Sequence, residues 1–504
     1  MQRCVSKGKR SPSKSWPRLW RGRSVGKQGR HGCARLLPEN IKRTRGNAMF
    51  DVLDRQTTLT GNQKKIIAAA MVGDALEFFD YFLIGYVLAF LIGPWKLTIG
   101  QSAIVLLSSG VGAIIGAYLW GWIADRIGRR KVFIGTVLNF SIATGLLYFT
   151  PDNGWVYLTI MRFFVGLGVG GLYCVDLPLV QEFMPTSKRG WVGGLVTAVI
   201  PLGVGLGGLL GAFIGPSQWR LLFVIGLLPA LLVLLVRLWV PESPRWLARH
   251  GRLEEARRSL AWALQVDAAS LPLPHVEQNS VVKTNWFDLF KHPRSLLVSW
   301  LGNLGVQTGV YGVALWAPSL FVLILKVSPQ EAAKMMILLS VLDFIGRLSF
   351  SWLSESIGRR RSGGLLGFGA GLLVILAGYQ YEGTIFGLSA FWLILAAALF
   401  FAGGGWAVVG PYAAEIWPSH LKTTGMGSAY GFGGIGKIIG PLALAFILGS
   451  NNYLKPDVPL TEIPTFFLYL GSWFLMAGVV YYFFGLETRG KTYEQIDREL
   501  AAAD

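Results

Sequence analysis

Three acidic residues recur at three-residue spacing within an apolar stretch of the chain: Asp74, Glu77 and Asp80. In an α-helix this spacing places the carboxyl groups along one flank, roughly 14 to 22 Å beyond Lys65 at 1.5 Å per residue. If the helix crosses a membrane, a charge at that depth is costly unless it meets water, a partner or a proton. At least one of these acids is therefore predicted to bind a transferable proton, and the alternative is a fixed structural ion pair.

Two further ionisable residues lie in another apolar stretch. Arg162 is the predicted partner, with Asp80 or Glu77 as its acid. An acid whose cation moves away works as a proton switch. The alternative is that Arg162 caps its helix near the membrane surface. Asp176 comes two residues before Pro178, which disturbs a helix and frees backbone carbonyl groups that line cavities. Asp176 is predicted either to line such a cavity or to act as a gate near its exit.

Candidate substrate ligands lie in the second half of the chain. Asn303, Gln307 and Tyr311 are four residues apart and share one helix face, where they are predicted to hydrogen-bond a substrate or, alternatively, to join two helices. Trp406 is a candidate aromatic wall, although tryptophan also serves in packing and in the interfacial belt. Lys437 interrupts an apolar run and needs an anion, which is predicted to be a substrate carboxylate or an acid of the protein.

These side chains are positioned by apolar elements. Of the 504 residues, 52% are hydrophobic and only 15% are charged, a balance typical of a membrane protein. The apolar stretches are about 20 residues long, enough for a helix to cross the hydrocarbon core of a bilayer. The pattern predicts an all-α membrane protein with twelve transmembrane helices in two six-helix pseudo-symmetric halves, near residues 65–93, 101–124, 131–150, 156–183, 191–214, 220–240, 295–325, 332–354, 362–380, 386–416, 423–448 and 463–485.

The net charge of +19 is concentrated at the start of the chain, where residues 1–48 contain fourteen Lys or Arg and one acid, Glu39. Because most of the positive charge lies in this tail, no nucleic-acid partner is predicted for the rest of the chain. It is expected to be disordered, and the hypothesis is that translation begins near Met49. The predicted division of the chain is a tail at 1–60, a first half at 61–240, a linker with an amphipathic run at 241–294, a second half at 295–490 and a cytoplasmic tail at 491–504.

Charged motifs recur at equivalent places in the two predicted halves. The loop after the second helix reads DRIGRR from Asp125, and the loop after the eighth reads ESIGRR from Glu355. Lys and Arg beside membrane spans stay on the cytoplasmic side, so both termini are predicted to be cytoplasmic. Repeated halves predict a substrate site between them and access that alternates as they rock. The residues predicted to gate this movement are Asp125, Arg126, Arg129, Arg130, Asp176, Glu182, Arg189, Glu355, Arg359, Arg360 and Glu415.

These motifs resemble those of the major facilitator superfamily. The DRIGRR loop, the glycine-rich run from Arg162 to Gly171, the PESPR sequence at 241–245 and the ETRGK sequence at 487–491 are similar to the sugar porter branch. The first helix, from Gly73 to Tyr81, instead resembles metabolite–proton symporters that carry organic acids and zwitterions, and the double glutamine that sugar porters have in the seventh helix is absent. The resemblance implies that the arginine of the fourth helix pairs with an acid of the first.

The resemblance implies a secondary active transporter of the bacterial inner membrane that couples protons to a small organic acid, for example an aromatic carboxylate. A sugar or polyol porter, an uncoupled uniporter and, from a different class, a transporter-like nutrient sensor are the alternatives. No enzyme is predicted, because His250 and His292 lie in loops without metal-ligand or nucleophile partners. No cofactor or metal is expected. The expected partners are a small-molecule substrate, protons and the lipid bilayer, and the protein is expected to be a monomer.

Overall fold

The computed structural model describes residues 48–231, 240–273, 286–418, 421–452, 460–489, 491, 495–496 and 498–500. Within them, eleven helices are long and apolar enough to cross a membrane. The sixth predicted span begins as a shorter apolar helix at Arg220–Leu231, and its remainder, 232–239, lies outside the described residues. The predictions for residues 1–47, for part of the linker and for part of the C-terminal tail also concern residues outside the described ones.

The first half is a set of long apolar helices with defined caps. The side chains of Thr60 and Thr98 each accept a hydrogen bond from the backbone N–H three residues further on, at Gln63 and Gln101. The side chains of these glutamines in turn accept the backbone N–H of the threonines, which completes a capping box. The helices are α1 Ala48–Asp54, α2 Gly61–Trp95, α3 Ile99–Ile127, α4 Arg129–Leu146, α5 Trp155–Glu182, α6 Arg189–Ala198, α7 Ile200–Ile214 and α8 Arg220–Ile225.

The linker contains two short helices, α9 Pro244–Arg249 and α10 Leu253–Leu264. The second corresponds to the amphipathic run that the sequence indicates between Arg252 and Leu264. Its C-terminal carbonyl groups accept hydrogen bonds from the start of α2, from the Thr60 hydroxyl and from the Asn62 amide. These bonds attach the linker to the first half of the molecule.

The second half repeats this arrangement. Ser328 caps its second long helix with a bond to the N–H of Glu331, as Thr98 caps α3. The elements are α11 Pro293–Leu325, α12 Pro329–Ser356, α13 Arg359–Tyr379, β1 Thr384–Ile385, β2 Leu388–Ser389, α14 Ala390–Glu415, α15 Lys422–Gly433, α16 Gly436–Leu448 and α17 Ile463–Val479.

Three predicted spans differ from the observed elements. The span predicted at 191–214 is divided into α6 and α7 just before Pro201, and the span at 423–448 is divided into α15 and α16 at consecutive glycines. The start predicted at 386 is wrong, because 384–389 forms a small antiparallel hairpin. Phe386 and Gly387 both have positive φ, as a tight two-residue hairpin turn requires.

The two halves meet mainly through three helix pairs: α2 with α11, α3 with α16, and α7 with α12. The last two pairs are equivalent, because each joins the second span of one half to the fifth span of the other. Glycines permit close approach at these contacts; a Cβ on Gly85 would lie 2.9 Å from the carbonyl oxygen of Leu315. The chain thus has the all-α, pseudo-symmetric two-half architecture that its sequence predicts.

Candidate functional site

The carboxyl group of Asp80 is held inside the first half. Its Oδ2 accepts the Thr144 hydroxyl at 2.5 Å, and its Oδ1 lies 4.0 Å from Nη1 of Arg162. Arg162 donates to the backbone carbonyl groups of Asp80 at 2.9 Å and Tyr81 at 2.5 Å. The side chains of Asp80 and Arg162 are fully buried. The structure therefore brings together the pair that the sequence analysis proposes, on α2, α4 and α5.

The other two acids of α2 belong to a separate cluster. Asp74 and Asp176 are buried, and their carboxyl groups lie against each other. Two carboxylates in contact repel each other unless one of them carries a proton. Glu77 is 1% exposed, and its Oε2 has no hydrogen-bond partner among the described residues. The sequence analysis assigns Asp176 to cavity lining or gating, whereas the structure places its carboxyl group against the acids of α2.

Lys437 enters this region from the second half. Its ammonium lies 5.1 Å from the ring centre of Tyr311, 5.6 Å from that of Tyr430 and 5.9 Å from that of Tyr81. Aromatic faces attract a cation, most strongly when water is excluded, and Lys437 is 7% exposed. Lys437 also interacts electrostatically with Glu77. The ammonium is therefore held between aromatic rings of both halves and close to a buried acid.

Arg347 of α12 is a second buried cation in this region of the molecule. Its Nε lies 3.3 Å from Oδ1 of Asp343, one helical turn away, and its Nη1 donates to the Thr197 carbonyl at 2.9 Å. The guanidinium also lies 5.8 Å from the ring of Trp406. Sequence reasoning missed this pair, although an acid and a base four residues apart inside the predicted span 332–354 were a visible signal.

These side chains surround a cavity between the halves with a volume of about 1370 Å³. At its inner end it is lined by Glu77, Phe78, Tyr311, Arg347, Trp406 and Lys437. From there it extends to the helix ends that carry the repeated charged loops, where Arg129, Glu182, Arg189, Glu355, Arg359 and Glu415 line it. Among the described residues, the cavity thus connects the buried charges with only one end of the bundle.

The predicted substrate ligands fall into two groups. Tyr311 and Trp406 line the cavity, with their ring centres 6.5 Å apart. Asn303 and Gln307 are buried away from it: Asn303 donates to the Ser299 carbonyl at 2.9 Å, and the Gln307 amide packs against Gly433. Their place at the junction of α11 with α15 agrees with the alternative of a helix contact, and their role in substrate binding stays a prediction.

An ion-pair network ties the ends of the helices within the first half. Arg129 lies 2.9 Å from Glu182, whose second oxygen accepts the Ser243 hydroxyl. Glu242 accepts the backbone N–H groups of Arg130 and Ser243, each at 3.0 Å. Other predicted gate residues lie beside this network. Arg189 donates to the carbonyl groups of Gln181 and Met184, Arg126 stacks on the Trp122 ring at 3.6 Å, and the Asp125 side chain lies outside the described ones.

The second half contains the equivalent network. Arg359 contacts Glu415 at 3.4 Å and Glu355 at 2.7 Å, Glu415 accepts the Thr488 hydroxyl, and Glu487 accepts the N–H of Arg359. Arg360 instead donates to the Tyr482 carbonyl at 2.5 Å. Sequence reasoning found the repeated loops but missed that Glu242-Ser243 and Glu487-Thr488 are also equivalent. Their shared signal is an acid followed by a hydroxyl residue after the last span of each half.

Two helical halves around a cavity that reaches one end of the bundle define a membrane transporter. The family described as "Sugar (and other) transporter" matches residues 65–500, and the chain belongs to this family within the major facilitator superfamily. It is therefore a multi-pass membrane protein that transports small molecules and is not an enzyme.

Known proteins with related sequences or folds are transporters. The niacin transporter NiaP of Acinetobacter baylyi is 29% identical over 438 residues, which cover 86% of this chain and 95% of that protein. The cis,cis-muconate transport protein of the same organism is 26% identical over 80% of this chain and 89% of its own length. The xylose transporter XylE from E. coli, in a partially occluded inward-open conformation, superposes with a TM-score of 0.66 at 21% identity, over 86% of this chain and 100% of that structure. That likeness concerns the fold alone.

Proposed function

We propose that this protein couples the movement of protons to the transport of a small organic acid by alternating access. The observation that carries the proposal is Lys437, a buried ammonium held between tyrosine rings in the cavity and close to Glu77. A cation at such a site favours an anion, and flat aromatic walls favour a planar one. Two relatives are named for niacin and cis,cis-muconate, which are both small planar carboxylates.

The balance of buried charges supports a role for protons. In the central parts of the described spans there are five acids and three bases: Asp74, Glu77, Asp80, Asp176 and Asp343, with Arg162, Arg347 and Lys437. A bare carboxylate without a cation is costly in a membrane interior. The surplus of two acids is therefore most simply neutralised by bound protons, and the contact between the Asp74 and Asp176 carboxyl groups favours one proton there.

The direction of the opening follows from the distribution of charge. The cavity extends toward the Lys- and Arg-rich loops, which the positive-inside rule assigns to the cytoplasm. In this assignment the structure faces inward, both termini are cytoplasmic and the protein lies in the inner membrane. Alternating access then requires the cavity to close at these loops and open between α3 and α16.

A ligand panel tests the proposal. Thermal unfolding of the detergent-purified protein would be measured with nicotinate, cis,cis-muconate and benzoate, with nicotinamide and xylose as uncharged comparisons, at mildly acidic and mildly alkaline pH. A carboxylate is expected to raise the unfolding temperature, more strongly at acidic pH, and nicotinamide is not.

The matched variants for this panel are Lys437→Gln and Lys334→Gln. The first removes the cavity cation and is expected to lose most of the carboxylate shift. The second removes an exposed lysine at the start of α12 and is expected to keep it. Stabilisation by xylose without any response to carboxylates would instead favour a sugar porter, and carboxylate shifts that survive Lys437→Gln would refute the assigned site.

A further inference from the structure

The acids of α2 differ in where their cations come from. Asp80 faces Arg162 and Thr144, and all three residues belong to helices of the first half. Movement of one half against the other leaves this pair together. Glu77 lines the cavity, and Lys437 of α16 in the second half lines it as well. The Lys437 ammonium lies 5.9 Å from the ring centre of Tyr81, one helical turn from Glu77. Of these two pairs, only Glu77 and Lys437 can be separated by a substrate or by the rocking of the halves.

The position of Lys437 between Glu77 and the open cavity creates a competition. One ammonium compensates one carboxylate well, and a buried carboxylate that loses its cation is strongly destabilised. A substrate carboxylate that enters the cavity and binds Lys437 therefore takes the compensating charge from Glu77. The Oε2 of Glu77 has no hydrogen-bond donor among the described residues to stabilise the bare anion in its place.

We propose that Glu77 is the site of the transported proton and that Lys437 changes its anionic partner from Glu77 to the substrate carboxylate. The inference rests on the proposed function, which supplies the carboxylate and the proton. In the empty site the Glu77 carboxylate faces the Lys437 ammonium. In the loaded site Glu77 carries a proton taken from water in the cavity, and Lys437 faces the carboxylate of the substrate.

None of the other charged groups around Glu77 replaces the cation that it loses when Lys437 binds the substrate. On its own helix Asp74 and Asp80 are anions or proton carriers, and Asp176 approaches from α5, so no acid in this cluster replaces the lost cation. Tyr311 of α11 is a neutral group beside Lys437. Arg347 of α12 is bound to Asp343 and to the Thr197 carbonyl of the other half. Lys437 is thus the cation whose partner the substrate changes.

The exchange has a consequence for the driving force. The loaded site gains one substrate anion and one proton, so its net charge is the same as that of the empty site. Transport of a monocarboxylate is then electroneutral. A pH gradient drives accumulation, and a membrane potential of either sign does not change the accumulation ratio, because no net charge crosses the membrane.

The test measures nicotinate binding as a function of pH, with proton uptake recorded by an indicator dye in weak buffer. In the wild type, affinity should fall by up to about tenfold per pH unit at alkaline pH, and each bound nicotinate should take up about one proton. Glu77→Gln imitates the protonated acid and should bind nicotinate at alkaline pH as tightly as the wild type does at acidic pH, without proton uptake. In proteoliposomes it should exchange nicotinate but not accumulate it.

The rival variant combines Asp80→Asn with Arg162→Met, which removes both charges of that pair and leaves neither buried alone, and it should keep the pH dependence and the proton uptake. Loss of both in this double variant, with both retained in Glu77→Gln, would move the proton site to the Arg162 pair and overturn the inference while the proposed function stands. Accumulation by the wild type that changes with an imposed potential would also contradict the exchange. A wild-type protein that binds none of nicotinate, benzoate and cis,cis-muconate would overturn the proposed function and this inference together.

Discussion

Arg162 shows how a fully buried charge is accommodated in this protein. Its guanidinium donates to two backbone carbonyl groups and faces the Asp80 carboxylate, which also receives the Thr144 hydroxyl. A buried ion pair contributes little net stability, because both partners lose water. Removal of one partner is different, since it leaves the other as a bare charge in the membrane interior. The pair is therefore expected to join α2 to α5 rather than to serve as the moving proton site.

The variant Arg162→Met tests this role. It leaves the Asp80 carboxylate without its cation and is expected to destabilise the protein by about 3–5 kcal/mol. The measurement is thermal unfolding of the purified protein in detergent. The double variant Asp80→Asn with Arg162→Met removes both charges and should recover a large part of the loss. If the double variant is no more stable than the single one, the destabilisation comes from lost packing and not from an unpaired charge.

At the scale of elements, small residues set the distance between helices. In α3 and α5, glycines face the backbone of the neighbouring helix; a Cβ on Gly116 would overlap the Leu167 carbonyl, and one on Gly170 would overlap that of Ala113. In a membrane the association of helices depends on such close contact, because lipid offers no hydrophobic driving force between them. The glycine-rich run that the sequence analysis compares with transporter motifs is a packing surface here.

A pair of variants in α3 tests this contact. Gly116→Ala places a methyl group against backbone atoms that cannot rotate away and is expected to cost about 1–3 kcal/mol. Gly121→Ala, five residues further along the same helix, meets nothing within 4 Å and should leave stability unchanged or raise it by up to about 1 kcal/mol. Both changes have the same helix propensity, so only the contact differs. Equal unfolding temperatures for the two variants would contradict the assigned packing.

The same arrangement of a glycine and a glutamate occurs at a helix start in both halves. Gly128 and Gly358 have positive φ at the start of α4 and α13, and each is covered by a glutamate, Glu242 or Glu487. Each glutamate accepts the backbone N–H of the following turn. A carboxylate at the N-terminal end of a helix is also favoured by the helix dipole. The repeated networks therefore join the charged ends of the helices within each half.

For the whole molecule, the closed end lies opposite the charged loops. There the backbone N–H of Gly100, in α3, donates to the carbonyl oxygen of Ser450, just after α16, at 2.9 Å. The Gly85 contact with Leu315 also joins the two halves. These contacts close the route from the cavity at that end, and the proposed transport cycle must break them.

A reversible cross-link tests that requirement. A Cβ built on Gly100 would lie 3.1 Å from the Cβ of Ser450, close to the roughly 3.8 Å that a disulfide needs. In a background with Cys4, Cys33 and Cys174 replaced by serine, oxidation of Gly100→Cys with Ser450→Cys should stop nicotinate uptake, and reduction should restore it. Each single cysteine variant is the control and should be insensitive to oxidant. Full uptake by the oxidised, cross-linked protein would contradict alternating access at this end.

The sequence by itself determined the architecture, because transmembrane helices are defined locally. Length, apolar composition and repeated loop motifs predicted the two halves. The spans at 65–93 and 295–325 correspond to α2 and α11, whose ends lie within four residues of the predicted ones. The hairpin before α14 was missed, because a two-residue turn in an apolar sequence gives little signal.

Only the tertiary structure decided how the buried charges are grouped. Three acids on one flank of α2 are equivalent in the sequence, yet Asp80 is held by Arg162 and Thr144, Asp74 by Asp176, and Glu77 faces the cavity and Lys437. Lys437 comes from a helix more than 350 residues further along the chain. Spacing along one helix fixes depth and face, whereas the energy of a buried charge depends on groups that other helices bring to it.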